Sequence, residues 1–151
     1  MLSSPAFQHG AVIPEKYGRD FNNTNPPLVI DRIPSDTKSV VLIMEDPDVQ
    51  AVAGAAVWVH WLVFNILPTI SVIPEQWIAD GTRGKNTRGE LVYGGPRPPD
   101  REHRYFFTVF ALNQLLPLSE GATRDEVLRE MDGHIIETAE LVGRFAPKME
   151  A

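Results

Sequence analysis

Two stretches of this chain, Ser39-Val40-Val41-Leu42-Ile43-Met44 and Val57 to Ile66, are apolar on both alternating faces. Successive side chains of a strand point to opposite sides of its sheet, so such a run has no face to turn to water and must be covered from above and below. A bare hairpin does not meet that demand, whereas an inner sheet of a layered fold does. The punctuation agrees: thirteen prolines and eleven glycines break much of the chain into short segments of the kind strands and turns make. The predicted strands are Leu28 to Ile33, Ser39 to Glu45, Val57 to Ile66 and Tyr105 to Leu112, rich in Val, Ile, Phe, Trp and Tyr. The expectation is a mostly β fold forming one domain over residues 1–151, a length at which a single core is ordinary.

Two segments depart from that pattern. Gly81 to Arg104 holds Gly94-Gly95-Pro96 and Pro98-Pro99-Asp100, with Leu91, Val92 and Tyr93 among them. Loops this long inside a compact domain are usually functional or disordered, and the apolar residues favour a packed binding loop. Further on, Thr123-Arg124-Asp125-Glu126 fits a capping box. Val127, Leu128, Met131, Ile135, Ala139 and Val142 follow at helical spacings. With Asp132-Gly133 interrupting them, they predict one or two C-terminal helices.

Composition narrows the function. The formal charge is −6 and the pI about 5.1, against the basic patch that a nucleic-acid binder normally carries. With no cysteine in the sequence, disulfide frameworks, thiolate nucleophiles and Cys-ligated zinc are excluded. No apolar run approaches the roughly 20 residues of a membrane helix, and Met1 to Pro5 carries no signal-like basic and apolar regions. The expected setting is the cytoplasm, and the expected partner is a small molecule or a protein.

The polar residues of interest fall in Asp46-Pro47-Asp48, Trp58-Val59-His60-Trp61 and His103-Arg104-Tyr105. Strict alternation places Trp58, His60, Leu62 and Phe64 on one face of their strand, and His103, Tyr105 and Phe107 on one face of theirs. If those strands are neighbours, two imidazoles and a phenol converge, with Asp46 at the rim where Pro47 ends its strand. Imidazolium and phenol can donate to phosphate oxygens, so an anion pocket is one reading. The structural alternatives stand beside it. A lone histidine on an apolar strand is more often a hydrogen-bonded core residue than a ligand, and His103, following a proline-rich loop, suits an exposed or loop-anchoring role equally well. Asx-turn capping accounts for one of Asp46 and Asp48, and Tyr105 suits a buried aromatic. His9 and His134 are read as surface or structural residues.

Sharper enzyme signatures are missing. Ser119 lacks a nucleophile elbow, Gly84-Lys85-Asn86-Thr87 lacks the rest of a phosphate-binding loop and reads as a turn, and neither a dinucleotide fingerprint nor a His-Glu-x-x-His helix is present. Asn22-Asn23-Thr24 reads as a polar turn. His60, His103 and Asp46 form a possible metal-ligand set, but without the spacing of a local motif; no metal, cofactor or catalytic residue is assigned.

Taken together, Asp46-Pro47-Asp48, His60-Trp61 with Asn65, and Gly94-Gly95-Pro96-x-Pro98-Pro99 leading to His103-Arg104-Tyr105 resemble the phosphatidylethanolamine-binding protein family, in its bacterial and archaeal Raf-kinase-inhibitor-like branch. The resemblance covers nearly the whole chain. It implies an antiparallel Greek-key β-sandwich with peripheral helices, and it puts Asp46, His60, Pro96, His103 and Tyr105 in a pocket for phosphate or phosphorylethanolamine-like head groups. It also implies a non-enzymatic regulatory or inhibitory module, in a branch whose members are often homodimeric. Two alternatives remain: a serine-protease inhibitor presenting the loop Val49 to Ala55 or Gly81 to Gly89, and a histidine-dependent phosphoester hydrolase. Val49-Gln50 stands where the family commonly has Ala-Pro, and Arg97 and Arg101 replace smaller residues; both arginines could favour anions.

Overall fold

A computed structural model describes residues 1–49 and 57–148. Its elements, in chain order, are β1 (Leu2–Ser3), β2 (Leu28–Ile30), β3 (Ser39–Asp46), β4 (Trp58–Ile66), β5 (Val72–Ile73), β6 (Thr82–Arg83), β7 (His103–Leu112), α1 (Arg124–Met131) and β8 (Ile135–Phe145). The fold is mostly β, with one small helix near the C-terminus.

Both two-faced runs lie inside a five-stranded antiparallel sheet of order β6-β4-β3-β7-β8. Strand β7 returns to lie beside β3 after the β3–β4 pair and β6 have formed, which is Greek-key connectivity. The covering that the sequence demands is present on both sides. Val40, Leu42 and Met44 of β3 pack with Leu2, Leu28, Ile30 and Ile73 of the small sheet β1-β2-β5. Val41 and Ile43 pack on the other side with Leu112, Leu116, Val127 and Met131. Glu45, on that second side, receives a charge-assisted hydrogen bond from Arg124 at the start of α1 (2.5 Å). The helix starts as its sequence indicates: the Thr123 hydroxyl accepts from the Glu126 amide, and the Glu126 carboxylate accepts from the Thr123 amide.

Three sequence expectations are corrected. The segment Ile135 to Val142 is not helical but forms β8, paired with β7 from Ile135↔Leu112 to Phe145↔His103. Gly133, at φ 80°, stops the helix after α1, and the β-branched Ile135, Ile136, Thr138 and Val142 beyond it suit a strand. The true burial period there is two, with Leu141, Gly143 and Phe145 facing inward, while Ile135 is exposed. Strand β2 ends at Ile30, and Arg32 beyond it takes a left-handed φ of 62°. The largest correction concerns β4. Met44 pairs with Trp61 but Glu45 pairs with Val59, so β4 carries an extra residue at His60. A bulge of this kind reverses which face each later residue occupies. Trp58 and His60 therefore line a cavity on one side of the sheet, while Leu62 and Phe64 pack in the layer against α1 on the other.

Gly143 lies opposite Tyr105. A Cβ there would come 2.5 Å from Cγ1 of Ile13 and 2.8 Å from Cε2 of Phe7, both buried side chains. Gly143→Ala is therefore expected to destabilise the fold by about 1–3 kcal/mol through overpacking, read as a lower urea midpoint with an unchanged m-value.

Candidate functional site

The end of β3, the bulged start of β4, the start of β7 and the loop before β7 surround a cavity of about 550 Å³. Asp46, Trp58, His60, His103 and Tyr105 line it from the strands, and Asn86, Arg88, Gly94, Gly95 and Arg97 from the loop. Four of the five residues singled out in the sequence thus meet. Pro96 is buried beside the cavity rather than lining it; its carbonyl accepts from the Arg19 amide (3.0 Å) and holds the 19–20 segment at the rim.

The loop is fastened to the bulge. Thr87 bonds both polar backbone groups of Val59, through its hydroxyl to the Val59 amide (2.7 Å) and from its own amide to the Val59 carbonyl (3.0 Å). Gly94 donates its amide to the His60 carbonyl (2.9 Å) and accepts from Nδ1 of the same histidine (2.7 Å). Asn86 braces the turn between them, accepting from the Glu90 amide and donating to the Val92 carbonyl. Gly95 passes so close to Tyr17 that a Cβ would overlap the Tyr17 carbonyl oxygen. Its amide donates to Oδ1 of Asn23 (2.7 Å). The turn Asn22-Asn23-Thr24 is thus a prop of the cavity, and the loop from Gly84 onward is packed as expected.

Each histidine has a defined protonation. A carbonyl oxygen only accepts, so His60 Nδ1 carries the proton that bonds Gly94, which leaves Nε2 as an acceptor. Burial pushes this imidazole down to about 4, with Arg88 and Arg19 adding to the effect, so it is neutral at physiological pH. His103 is wholly buried. Its Nδ1 lies 2.6 Å from Oδ2 of Asp46 and its Nε2 2.7 Å from Oδ1 of Asp100, which is an imidazolium between two carboxylates. Burial opposes its charging, but the bonds to Asp46 and Asp100 prevail and raise its pKa above the ordinary histidine value. Burial also pushes Asp46 upward, against the hydrogen bonds it receives from His103 and from the Asp48 amide. The bond from the Asp48 amide closes an Asx turn (2.7 Å). The next residues repeat the pairing outside: Asp48 takes a two-pronged hydrogen bond from Arg104 (2.8 and 3.0 Å), which lowers its carboxyl to about 2.

His103 therefore anchors Asp100 of the loop, and neither of its nitrogens is left for a ligand. Tyr105 stands with its ring edge toward His60, centroids 5.2 Å apart, and burial keeps its phenol protonated. Around the mouth lie Arg19, Arg88, Arg97 and Lys148, against Asp20, which pairs with Arg97 (3.1 Å). Arg101 does not line the cavity; it donates to the neighbouring Glu102 carbonyl. His9 and His134 make structural bonds elsewhere, to the Val142 amide and to Asn113. Of the two candidate protease-facing loops, residues 50–55 lie outside the described residues, and Gly81 to Gly89 carries β6 and the bonds of Asn86 and Thr87. Among the described residues no cluster of three or more His, Asp or Glu side chains is placed to hold a metal ion, and no helix is long and apolar enough to cross a membrane.

A Greek-key sheet covered on both faces, with a histidine- and tyrosine-walled cavity at its strand ends, defines a β-sandwich binding protein. The family model described as phosphatidylethanolamine-binding protein matches residues 3–146, and the chain belongs to that family. A UPF0098 protein of Chlamydia pneumoniae is 46% identical over 145 residues, covering 95% of this chain and 97% of its own length. A UPF0098 protein of Methanothermobacter thermautotrophicus is 40% identical over 150 residues, with the same coverage. Among solved structures, CT736 of Chlamydia trachomatis, described as a PEBP homolog, superposes with a TM-score of 0.93 at 43% identity over 99% of this chain and 97% of its own. YbcL of E. coli, described as a new member of the mammalian PEBP family, gives 0.88 at 27% identity over 98% of each chain.

The pairing of buried His103 with buried Asp46 and with Asp100 at the surface has a measurable consequence. Because the folded pKa of His103 is raised, its contribution to stability is complete below the unfolded histidine value and is lost as pH rises through the folded one. Asp48, lowered to about 2, contributes above the unfolded value near 3.8 and loses that contribution as pH falls through about 2. Asp46→Asn turns an amide toward one of two N–H donors and removes the charge that balances a buried imidazolium. It is expected to cost about 3 kcal/mol in urea unfolding near neutral pH, with the His103 ring titrating at lower pH by NMR.

Proposed function

We propose that this protein is a non-enzymatic binder of small anions, of the phosphate or phosphorylethanolamine head-group kind, acting as a regulatory module. One observation carries the reading. In a chain of net charge −6, four cationic side chains, Arg19, Arg88, Arg97 and Lys148, gather at the mouth of one cavity. Their field concentrates an anion there. The one carboxylate from the strands, Asp46, is already paired with His103 and hydrogen-bonded through both oxygens. The family's description, and its naming for a phosphorylated head group, support the same chemistry. A hydrolase reading gains less, since both His103 nitrogens are held by carboxylates. Cytoplasmic placement belongs to the proposal, on the cysteine-free composition.

The test is an NMR titration with phosphorylethanolamine, following the His60 and His103 ring signals against His9 and His134. Saturable shifts confined to the first pair are expected, weakening with added salt. Arg88→Ala is expected to lower affinity about fivefold, the loss of roughly 1 kcal/mol from one charge-assisted contact. Four silent histidines up to about 1 mM ligand, where binding is worth only about −4 kcal/mol, would sink the proposal.

A further inference from the structure

Strand β8 is an outermost strand of the large sheet, and only part of its free edge is covered. Val142 and Arg144 give their outward backbone groups to the N-terminal segment. The Val142 carbonyl accepts from Gly10 (2.7 Å) and its amide donates to Nδ1 of His9 (3.1 Å), while Arg144 bonds Ala11 and Ile13. Outward backbone groups recur at every second residue of a strand, and the register with β7 is regular from Glu137 to Phe145. Counting back from Val142, the N–H and C=O of Glu140 and Thr138 therefore turn the same way, where no strand pairs with them among the described residues. Glu137 stands on the side of the small sheet, at a notch of about 20 Å³ lined by Ile30, Ile33, Val109, Ala111 and Ala139. Glu140, opposite Thr108, stands on the other face. Both are exposed, and neither has an ion-pair partner among the described residues. Arg32, which shares the notch, pairs with Asp31 (3.7 Å), and Arg144 of the same strand pairs with Glu102 (3.0 Å).

We propose that the open half of β8 is a docking edge for an extended basic segment of another protein, which adds as a sixth strand and carries cationic side chains three residues apart. The outward N–H and C=O groups of Thr138 and Glu140 supply the main-chain bonds of such an addition. Charge selects the occupant. A second copy of β8 would set four unpaired carboxylates on one short ladder, and an acidic segment is repelled in the same way. A basic segment instead meets each glutamate with a directly opposed cation. The spacing follows from the register: the positions facing Glu137 and Glu140 lie three apart in the added strand, one on each face of the sheet. Between them, the position facing Ala139 turns toward the notch, whose volume suits a small apolar side chain. The inference is independent of the anion-binding reading, because that cavity lies at the start of β7, whereas Thr138 pairs with Phe110 near the other end of that strand.

The experiment titrates the full chain at pH 7 with end-blocked synthetic peptides, following backbone amide shifts and amide hydrogen exchange by NMR. Thr-Lys-Val-Val-Lys-Thr has the required spacing in either strand direction, Thr-Lys-Val-Lys-Val-Thr has the same composition with the lysines two apart, and Thr-Glu-Val-Val-Glu-Thr reverses the charge. The first peptide is expected to saturate, to slow exchange at the Thr138 and Glu140 amides, and to bind about fivefold tighter than the second, with the third not binding. The Ala139 and Leu141 amides, which face β7, serve as the internal reference. Joint replacement Glu137→Lys and Glu140→Lys, at two exposed positions, is expected to invert the preference, so that the glutamate peptide binds and the lysine peptides do not. Equal affinity for the two lysine spacings, protection confined to amides other than Thr138 and Glu140, or a preference that charge reversal leaves unchanged would each overturn the inference. So would silence toward all three peptides up to about 1 mM, and a dimer formed through this edge without peptide would assign it to a second copy instead. The wild-type peptide comparison needs no variant, so a failure of the doubly substituted chain to fold does not shield the proposal.

Discussion

The whole molecule is hung on β3. It is paired along both edges, by β4 and β7, and its side chains are buried on both faces from Ser39 to Met44. A strand in that position cannot shift register without driving apolar side chains out of both cores at once. It fixes where its own end falls, and that end is Asp46. The one buried carboxylate of the strand therefore stands where the apolar layer stops, and it is the natural counter-charge for an imidazolium at the start of β7. The functional cavity is the place where the covering of β3 runs out.

What makes the cavity is an irregularity in the neighbouring strand. Had β4 kept strict alternation, His60 would have turned toward the layer that holds Leu62 and Phe64. The extra residue turns it toward Tyr105 instead, and the freed backbone groups of Val59 and His60 become the attachment points of the Thr87 and Gly94 loop. One inserted residue thus does two things, aiming a ring and docking a loop, which is why bulges recur beside sites.

Much of this was legible in the residues. The two-faced runs located β3 and β4, the β-rich segments located β7, and Asp46, His60, His103 and Tyr105 meet as their placement at strand ends suggested. The bulge was not legible, because alternation in Trp58 to Phe64 looks regular and only the partner's register reveals the extra residue. Nor was β8, where spacings of three and four among Met131, Ile135, Ala139 and Val142 imitate a helix, although Gly133 and the β-branched run signalled a strand. Asn23 and Asp100 serve the site through contacts made across 72 and 3 residues of sequence. Asp100, so close to His103, was the easier of the two to find, and a proline-rich stretch that must be tethered was its signal.

The outer edge of the large sheet is finished in two different ways. Near Val142 and Arg144 the N-terminal segment covers it, with Gly10 and Ile13 donating to the strand and Ala11 accepting from it. Over Ile135 to Leu141 no strand pairs with that edge among the described residues, and the exposed Glu137 and Glu140 stand along it. Open strand edges are templates for sticking to other chains, and carboxylates are one of the ordinary ways to keep them apart. One half of this eleven-residue strand is thus guarded by a covering segment and the other by charge, two unlike answers to the same exposed ladder of backbone groups.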